Sequence, residues 1–165
     1  MSTPSARKTE EAITALPAAV REAHVAEMRL VSLPGDVPPW TDAQVHVRRG
    51  DELSVLASGR LVLAEALDLW MPPSLALWGR IGGRGPMFNG TRDTTSLAAD
   101  HDGPLELALY NGEWATADGV LATPVDAYAG SGGTIEALVI RWKGSAAAGL
   151  AALCLLYTSP SPRDS

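Results

Sequence analysis

From Met28 onward the chain is built of short apolar runs, separated by turns rich in Gly, Pro, Asp and Asn. The runs recur at a spacing of roughly 8 to 12 residues, which is typical of antiparallel β-sandwiches and barrels. No segment between residues 35 and 140 has the apolar period of a long helix. We therefore predict strands at residues 28–33, 43–47, 52–58, 60–64, 75–81, 94–99, 105–110 and 134–142.

Two of these strands indicate which of their faces are buried. Leu105, Leu107 and Leu109 alternate with Glu106 and Ala108, so only one face of the strand at 105–110 is strongly apolar. Both faces of the strand at 134–142 are largely apolar. A strand with two apolar faces is buried on both sides, so we predict that this strand is central.

The first 27 residues have a different composition, rich in good helix formers. Thr3 is placed to cap a helix, with Pro4 at its first helical position. Pro17 lies inside the helical stretch, where it breaks or kinks a helix. We predict a short N-terminal helical extension at residues 1–27, in two pieces, followed by a sandwich domain at residues 28–143.

The C-terminal end changes character twice. The Ala-rich run at 144–153 predicts the start of a linker or helix. The last twelve residues, CLLYTSPSPRDS, hold the one cysteine of the chain. Back-translated as TGT CTC TTA TAC ACA TCT, this string resembles the transposase mosaic end and adapter of sequencing libraries. We therefore interpret residues 154–165 as an adapter-derived artefact, and expect a missing C-terminal segment or domain in cis.

Charge and composition exclude several classes of partner. The net charge is −6, and the largest basic cluster is Arg48-Arg49, which argues against nucleic acid and against an anionic membrane surface. The N-terminal residues carry charges where an export signal has an apolar core, so we expect a cytoplasmic protein. No nucleophile and base stand in a recognisable arrangement, so we predict a protein that is not an enzyme.

One loop combines an aromatic residue with polar ones. It contains Asn111, Glu113, Trp114, Thr116 and Asp118. Sugar recognition uses such a mixture, with an aromatic ring against the apolar side of a pyranose and planar polar groups on its hydroxyls. We take these five residues as the candidate ligand-binding site. The alternative is that Trp114 packs at the end of the sandwich and the polar residues only form turns.

The remaining candidates favour structural roles. The tryptophans Trp40, Trp70, Trp78 and Trp142 lie in or beside predicted strands, so we expect them to pack in the core or at its rim. The stretch from Asp100 to Gly103 resembles the opening of a calcium loop. It lacks a third acidic position and the distal Glu of an EF-hand, so an aspartate-rich turn is favoured over a cation site.

Residues 28–143 together resemble a galactose-binding-like β-sandwich. The stretches that carry the resemblance are LPGDVPPWTDAQVHVRRGDELSVLASG, LALWGRIGGRGPMFNGT and GPLELALYNGEW. They are similar to the soluble galactose-specific bacterial lectins. The chain also resembles the N-terminal module of longer bacterial proteins. The resemblance implies an all-β, antiparallel, jelly-roll sandwich and a carbohydrate ligand.

In those lectins, calcium and sugar bind on the loop that corresponds to residues 111–118. Thr116 matches a threonine ligand of that calcium. The Asp that should follow Tyr110-Asn111 is replaced by Gly112, and the paired asparagines by Gly119 and Val120. Because most of these calcium ligands are missing, we expect no cofactor and no metal site.

These observations predict a non-catalytic accessory module that binds a carbohydrate or another small polar ligand. The alternative is a purely structural domain that packs against the missing C-terminal domain. The apolar strand at 134–142 and the Ala-rich exit after Gly144 motivate that alternative.

Overall fold

The computed structural model describes residues 5–89, 95–110 and 114–158. Nine strands in these ranges form two antiparallel sheets: β1 (Val25–Pro34), β2 (Trp40–Val47), β3 (Glu52–Ala64), β4 (Leu69–Met71), β5 (Leu77–Ile81), β6 (Arg84–Asn89), β7 (Thr95–Ala98), β8 (Gly103–Leu109) and β9 (Gly132–Trp142). The helices are α1 (Ala6–Thr14), α2 (Ala18–His24), α3 (Pro73–Ala76) and α4 (Ala146–Thr158). Short 3₁₀ helices cover Glu65–Leu67 and Val125–Gly130.

The two sheets pack face to face as a sandwich. One has five strands in the order β1-β9-β3-β4, with β7 pairing with the first part of β3. The other has four strands in the order β2-β8-β5-β6. The predicted alternation on β8 is confirmed, because Leu105, Leu107 and Leu109 are each at most 1% exposed and belong to the core between the sheets. The chain is an antiparallel β-sandwich, as its sequence predicts.

Strand β9 is central and buried on both faces, as its two apolar faces predict. It pairs with β1 on one side and with β3 on the other. Ile135, Ala137 and Val139 face the core between the sheets. Leu138, with Ile140 and Trp142 beyond it on the same face, joins a second apolar cluster outside the sandwich.

Helices α1 and α4 build that second cluster. Ile13 of α1 and Leu153 of α4 are buried in it against the outer face of the five-stranded sheet. Helix α1 begins beside β3, where the backbone N–H of Ala6 donates to Ser58 Oγ (2.9 Å). Arg7 contacts the Glu136 carboxylate at 2.6 Å, and this hydrogen bond raises the pKa of the Arg7 guanidinium. The helical segments thus cover part of the sheet.

The N-terminal boundaries differ in detail from the prediction. The two helical pieces are separated at Pro17, as expected. Helix α1 is capped by Ser5, whose side chain accepts from the Lys8 N–H (3.1 Å), whereas the predicted cap at Thr3 lies outside the described residues. Strand β1 begins at Val25, three residues before the predicted boundary, because its pairing with β9 extends to Val25 opposite Trp142.

Three strand predictions are also corrected. The runs at 52–58 and 60–64 form one strand, β3, because its ladder with β9 continues without a break across Gly59. Strand β6 was expected as a turn, but residues 84–89 pair with β5 after the tight turn at Gly82-Gly83. Strand β4 has only three residues and was not predicted.

At the C-terminal end, α4 runs through the predicted boundary at Cys154. Its inward side includes Ala146 and Leu153, while Cys154 is exposed. The predicted origin of residues 154–165, and the division of the chain into the four predicted segments, stay predictions. Within the described ranges no helix is long and apolar enough to cross a membrane.

The outer cluster predicts a large stability effect at Trp142. Its side chain is 3% exposed, and Nε1 donates to Ser54 Oγ (2.9 Å). We expect Trp142→Ala to lower the free energy of unfolding by about 3–5 kcal/mol, because the cavity removes many packing contacts. Urea unfolding followed by circular dichroism measures this. Trp70→Ala is the matched control, since Trp70 is 43% exposed and its loss should cost less than about 1 kcal/mol. Equal losses would contradict the assignment of Trp142 to a buried core.

Candidate functional site

The predicted site lies on the outer face of the four-stranded sheet. On β5, Trp78 and Arg80 alternate with buried Leu77, Gly79 and Ile81, so both point away from the core. In the sheet register Ala108 of β8 pairs with Trp40 on one side and with Trp78 on the other. Ala108 is fully buried, although it faces outward. Something therefore covers this face.

The cover is the loop of residues 114–121, here called the Trp114 loop. A bridge between Trp114 and Leu121 closes it, and the Ala115 N–H donates to the Val120 carbonyl (2.6 Å). Trp114 stacks on Trp40, with ring centroids 5.4 Å apart and planes at 24°. It meets Trp78 edge-on at 6.3 Å. The loop thus folds back over the sheet through its tryptophan.

Tyr110 completes a group of four rings, which we call the aromatic cluster: Trp40, Trp78, Tyr110 and Trp114. Its centroid lies 5.7 Å from that of Trp114 and 6.0 Å from that of Trp78. All four side chains are partly exposed. Aromatic pairs at these separations stabilise each other beyond the area that they bury. The cluster is both the anchor of the loop and part of the protein surface.

Arg80 fastens the same loop from below. Its guanidinium carbon lies 4.2 Å from the Trp40 ring centroid, within the range of a cation–π contact. Nη1 donates to the Asp118 carbonyl oxygen (2.8 Å), and Nη2 contacts Glu106 Oε2 (3.2 Å). Trp40 Nε1 donates to the next carbonyl, that of Gly119 (2.8 Å). Two consecutive loop carbonyls are therefore held by side chains of the sheet.

The cluster contains donors without acceptors. Within the described ranges four buried side-chain nitrogens have no hydrogen-bond partner, and three of them are here: Trp78 Nε1, Trp114 Nε1 and Arg80 Nε. A buried donor without a partner costs free energy, so each such group requires an explanation. Among the described residues, the aromatic cluster thus combines apolar ring surface with donors that have no partner.

The structure brings together only part of the predicted set of site residues. Trp114 is half-buried in the aromatic cluster, Thr116 is exposed and Asp118 is partly exposed. Thr116 Oγ1 donates to Asp118 Oδ1 and accepts from the Val120 N–H (3.1 Å), so both polar residues do form a turn. Asn111 and Glu113 lie outside the described residues. Ligand binding by the five residues stays a prediction.

Sequence reasoning missed the sheet residues beneath the loop. Trp40 and Trp78 were expected to pack in the core or at its rim; they pack under the loop, outside the core. Arg80 was not singled out at all. The available signal was the alternation of Trp78 and Arg80 with apolar or small residues on β5, which places both on the face away from the core.

The described residues of this loop do not fit a calcium ion. The Arg80 guanidinium already occupies the Asp118 carbonyl, and its positive charge repels a cation. The Gly119 carbonyl accepts from Trp40, and Thr116 Oγ1 is held within the turn. Calcium needs six to eight oxygen ligands. The calcium site implied by the sequence resemblance is therefore not formed by these residues.

The stretch from Asp100 to Asp102 forms a bend that leads into β8, which begins at Gly103. Asp102 Oδ1 accepts from the Arg49 N–H (2.7 Å), and Asp100 Oδ1 lies 2.6 Å from His101 Nδ1. In the part of the chain that the structure describes, no three His, Cys, Asp or Glu side chains are grouped closely enough to hold a metal ion.

The fold has a counterpart among solved structures. No protein-family model and no curated protein matches the chain. A solved structure described as the EclA N-terminal domain, a PllA-like lectin, aligns with a TM-score of 0.53 at 16% identity, covering 73% of this chain and 98% of that one. This chain has a lectin-like β-sandwich fold. The resemblance inferred from the sequence is confirmed for the fold, and at this identity for nothing finer.

The packing of the Trp114 loop predicts a specific effect at Gly119. Its φ is +95°, and an added Cβ would overlap the Trp40 ring and lie 2.9 Å from Met87 Sδ. We expect Gly119→Ala to lower the free energy of unfolding and to shift the tryptophan fluorescence, because the loop is displaced from the aromatic cluster.

Gly50→Ala is the matched control for this variant. Gly50 has nearly the same φ, +91°, but nothing lies within 4 Å of an added Cβ. In Gly50→Ala the free energy of unfolding should fall by only about 1–2 kcal/mol, the cost of placing a Cβ in the left-handed backbone region. Gly119→Ala should lose about 1–3 kcal/mol more, the usual cost of overpacking. Similar losses in urea unfolding would mean that the loop does not press on Trp40.

Proposed function

We propose that this chain is a non-catalytic module that binds carbohydrate at the Trp114 loop. Trp114 provides ring surface for the apolar face of a sugar, and Asp118 accepts a hydrogen bond from a hydroxyl group. Thr116 orients the Asp118 carboxylate through the hydrogen bond between them. Asn111 and Glu113 are proposed as further hydrogen-bonding residues, because they precede Trp114 directly in the chain.

The observation that carries the proposal is the excess of donors in the aromatic cluster. The indole N–H groups of Trp78 and Trp114 have no acceptor among the described residues. Both N–H groups are buried, so the Trp114 loop must shift for a hydroxyl oxygen to reach them and supply an acceptor. A sugar presents several hydroxyl groups together with an apolar face. Partly exposed rings beside unpaired donors are therefore better suited to a sugar than to a purely apolar ligand.

The fold comparison supports the same class of ligand. The solved structure with the similar sandwich is described as a lectin. Because the described part of this loop does not fit calcium, we propose that the sugar is held by side chains and rings alone. This mode makes no use of the calcium that the sequence resemblance implies.

The alternative, a structural domain that packs on a missing C-terminal domain, stays a prediction. The apolar outer face of β9 is covered by α1 and α4 of this same chain. We retain the proposal that a further segment follows Leu153 in the natural protein. Long-read sequencing across this position checks it: an open frame supports a longer protein, and an immediate stop codon contradicts it.

Binding is tested on a glycan array with the full chain, followed by calorimetry on each hit. We expect Trp114→Ala to abolish binding, because it removes the ring and loosens the loop. Trp114→Phe should keep the loop packed but weaken binding about tenfold, since it removes one donor whose hydrogen bond contributes about 1.4 kcal/mol.

Asp118→Asn tests the carboxylate without changing its shape, and Asp126→Asn is its matched control on the exposed 3₁₀ helix. We expect Asp118→Asn to bind the glycans found on the array more weakly than the unchanged chain, and Asp126→Asn to bind them equally well. An array profile that survives Trp114→Ala unchanged would refute the proposed site.

A further inference from the structure

A cavity lies on the side of the sandwich opposite the Trp114 loop. On β3, Leu53, Val55 and Leu61 face the core between the sheets, so Arg60 and Val62 lie on the outer face. Helix α1 begins beside Ser58, where Ala6 N–H donates to Ser58 Oγ, and among the described residues it packs on the part of this face that includes Leu138 and Ile140. Past Ser58, away from the helices, a cavity of ≈ 160 Å³ opens on the sheet, lined by Arg60, Val62, Glu65, Asp68, Trp70, Gly132 and Gly133.

Strand register explains why the surface is hollow at this point. Val62 pairs with Trp70 on one side and with Gly132 on the other. The row therefore has a large ring at one end and no side chain at the other. An added Cβ at Gly132 would meet nothing closer than Val62 Cβ at 3.9 Å. The space above Gly132 is open, and Gly132 lines the same cavity as Trp70 and Val62.

The cavity combines three kinds of surface. Arg60 lies over the Trp70 ring, with its guanidinium carbon 5.5 Å from the ring centroid. Arginine has only hydrogen-bond donors, whereas the carboxylates of Glu65 and Asp68 have only acceptors. Trp70 and Val62 add apolar surface. A ligand that matches all of these needs neighbouring groups that both donate and accept, together with an apolar face.

We infer that this cavity is a second saccharide-binding site, with room for one neutral sugar ring. Each hydroxyl group of a sugar both donates and accepts, so it can pair with Arg60 and with a carboxylate. The lining carries one positive and two negative charges, which disfavours an anionic ligand. The volume is well below the roughly 300–1,000 Å³ of pockets that enclose drug-sized ligands, and therefore suits a single ring.

This site is independent of the Trp114 loop. The loop covers the outer face of the four-stranded sheet, and the cavity lies on the outer face of the five-stranded sheet. The two sites share no residue. The inference does not rest on the proposed function, and a chain that binds sugar at both sites would hold two sugar rings on opposite faces of the sandwich.

The test is an NMR titration of the ¹⁵N-labelled full chain with the methyl glycosides of galactose, glucose, mannose and N-acetylglucosamine. The Trp70 indole N–H and the Gly133 amide report on the cavity, and the Trp114 indole N–H reports on the loop. The Trp70 signal is assigned by its absence in Trp70→Phe. We expect at least one glycoside to shift the Trp70 and Gly133 signals saturably.

Two variants remove the cavity site in different ways. Gly132→Val adds side-chain volume to the cavity at a position where the added Cβ meets no atom closer than 3.9 Å, and Trp70→Ala removes the ring. Each should weaken binding at least about tenfold, a change of about 1.4 kcal/mol. Gly130→Val is the matched control, because an added Cβ at Gly130 meets nothing within 4 Å and Gly130 does not line the cavity. It should leave the shifts of the Trp70 and Gly133 signals unchanged.

The outcomes separate this inference from the proposed function. Shifts at the Trp114 indole alone support the loop site and overturn the cavity site. Shifts at Trp70 and Gly133 that are lost in Gly132→Val support the cavity site, whatever happens at the loop. Shifts at Trp70 that persist unchanged in Gly132→Val overturn the inference, as does the absence of any shift there with all four glycosides.

Discussion

The burial of β9 on both faces is the constraint on which the rest of the structure depends. A strand in the middle of a sheet needs a layer on each side when both of its faces are apolar. The four-stranded sheet provides one layer, and α1 with α4 provides the other. Trp142 shows how tightly the helices pack on this face of the sheet, since its side chain is almost fully buried and hydrogen-bonded to Ser54. The terminal helices are therefore part of the sandwich's packing.

The same requirement explains the opposite side of the molecule. The outer face of the four-stranded sheet carries Trp40 and Trp78, whereas the described helices α1 and α4 pack on the other sheet. The Trp114 loop supplies the missing cover, and Arg80 ties it down through the Asp118 carbonyl. A loop held by a few ring contacts and two carbonyl hydrogen bonds covers less surface than a helix. Rings at its margin consequently remain partly exposed, which is the usual condition of a binding surface.

The sequence predicted the architecture well because alternation and turn spacing report directly on which faces are buried. The leucines of β8 and the two apolar faces of β9 are the clearest cases. It failed where a feature depends on partners distant in the chain. Strand β6 is recognisable only from its pairing with β5, and the aromatic cluster exists only because β2, β5 and the Trp114 loop meet in space. Neither composition nor a motif singled out Arg80, because its role depends on its contacts with the Trp114 loop and the Trp40 ring.

The two arginines on the outer faces show why similar side chains create different surfaces. Arg80 is 15% exposed and is engaged by Glu106, by a loop carbonyl and by the Trp40 ring. Its charge is therefore neutralised by partners within the protein, and the surface above it consists of partly exposed rings. Arg60 lies on an exposed ring beside two carboxylates and an open glycine. Donors and acceptors both line that cavity, whereas the aromatic cluster presents mainly ring surface. The two proposed sites would therefore contact a sugar ring in different ways.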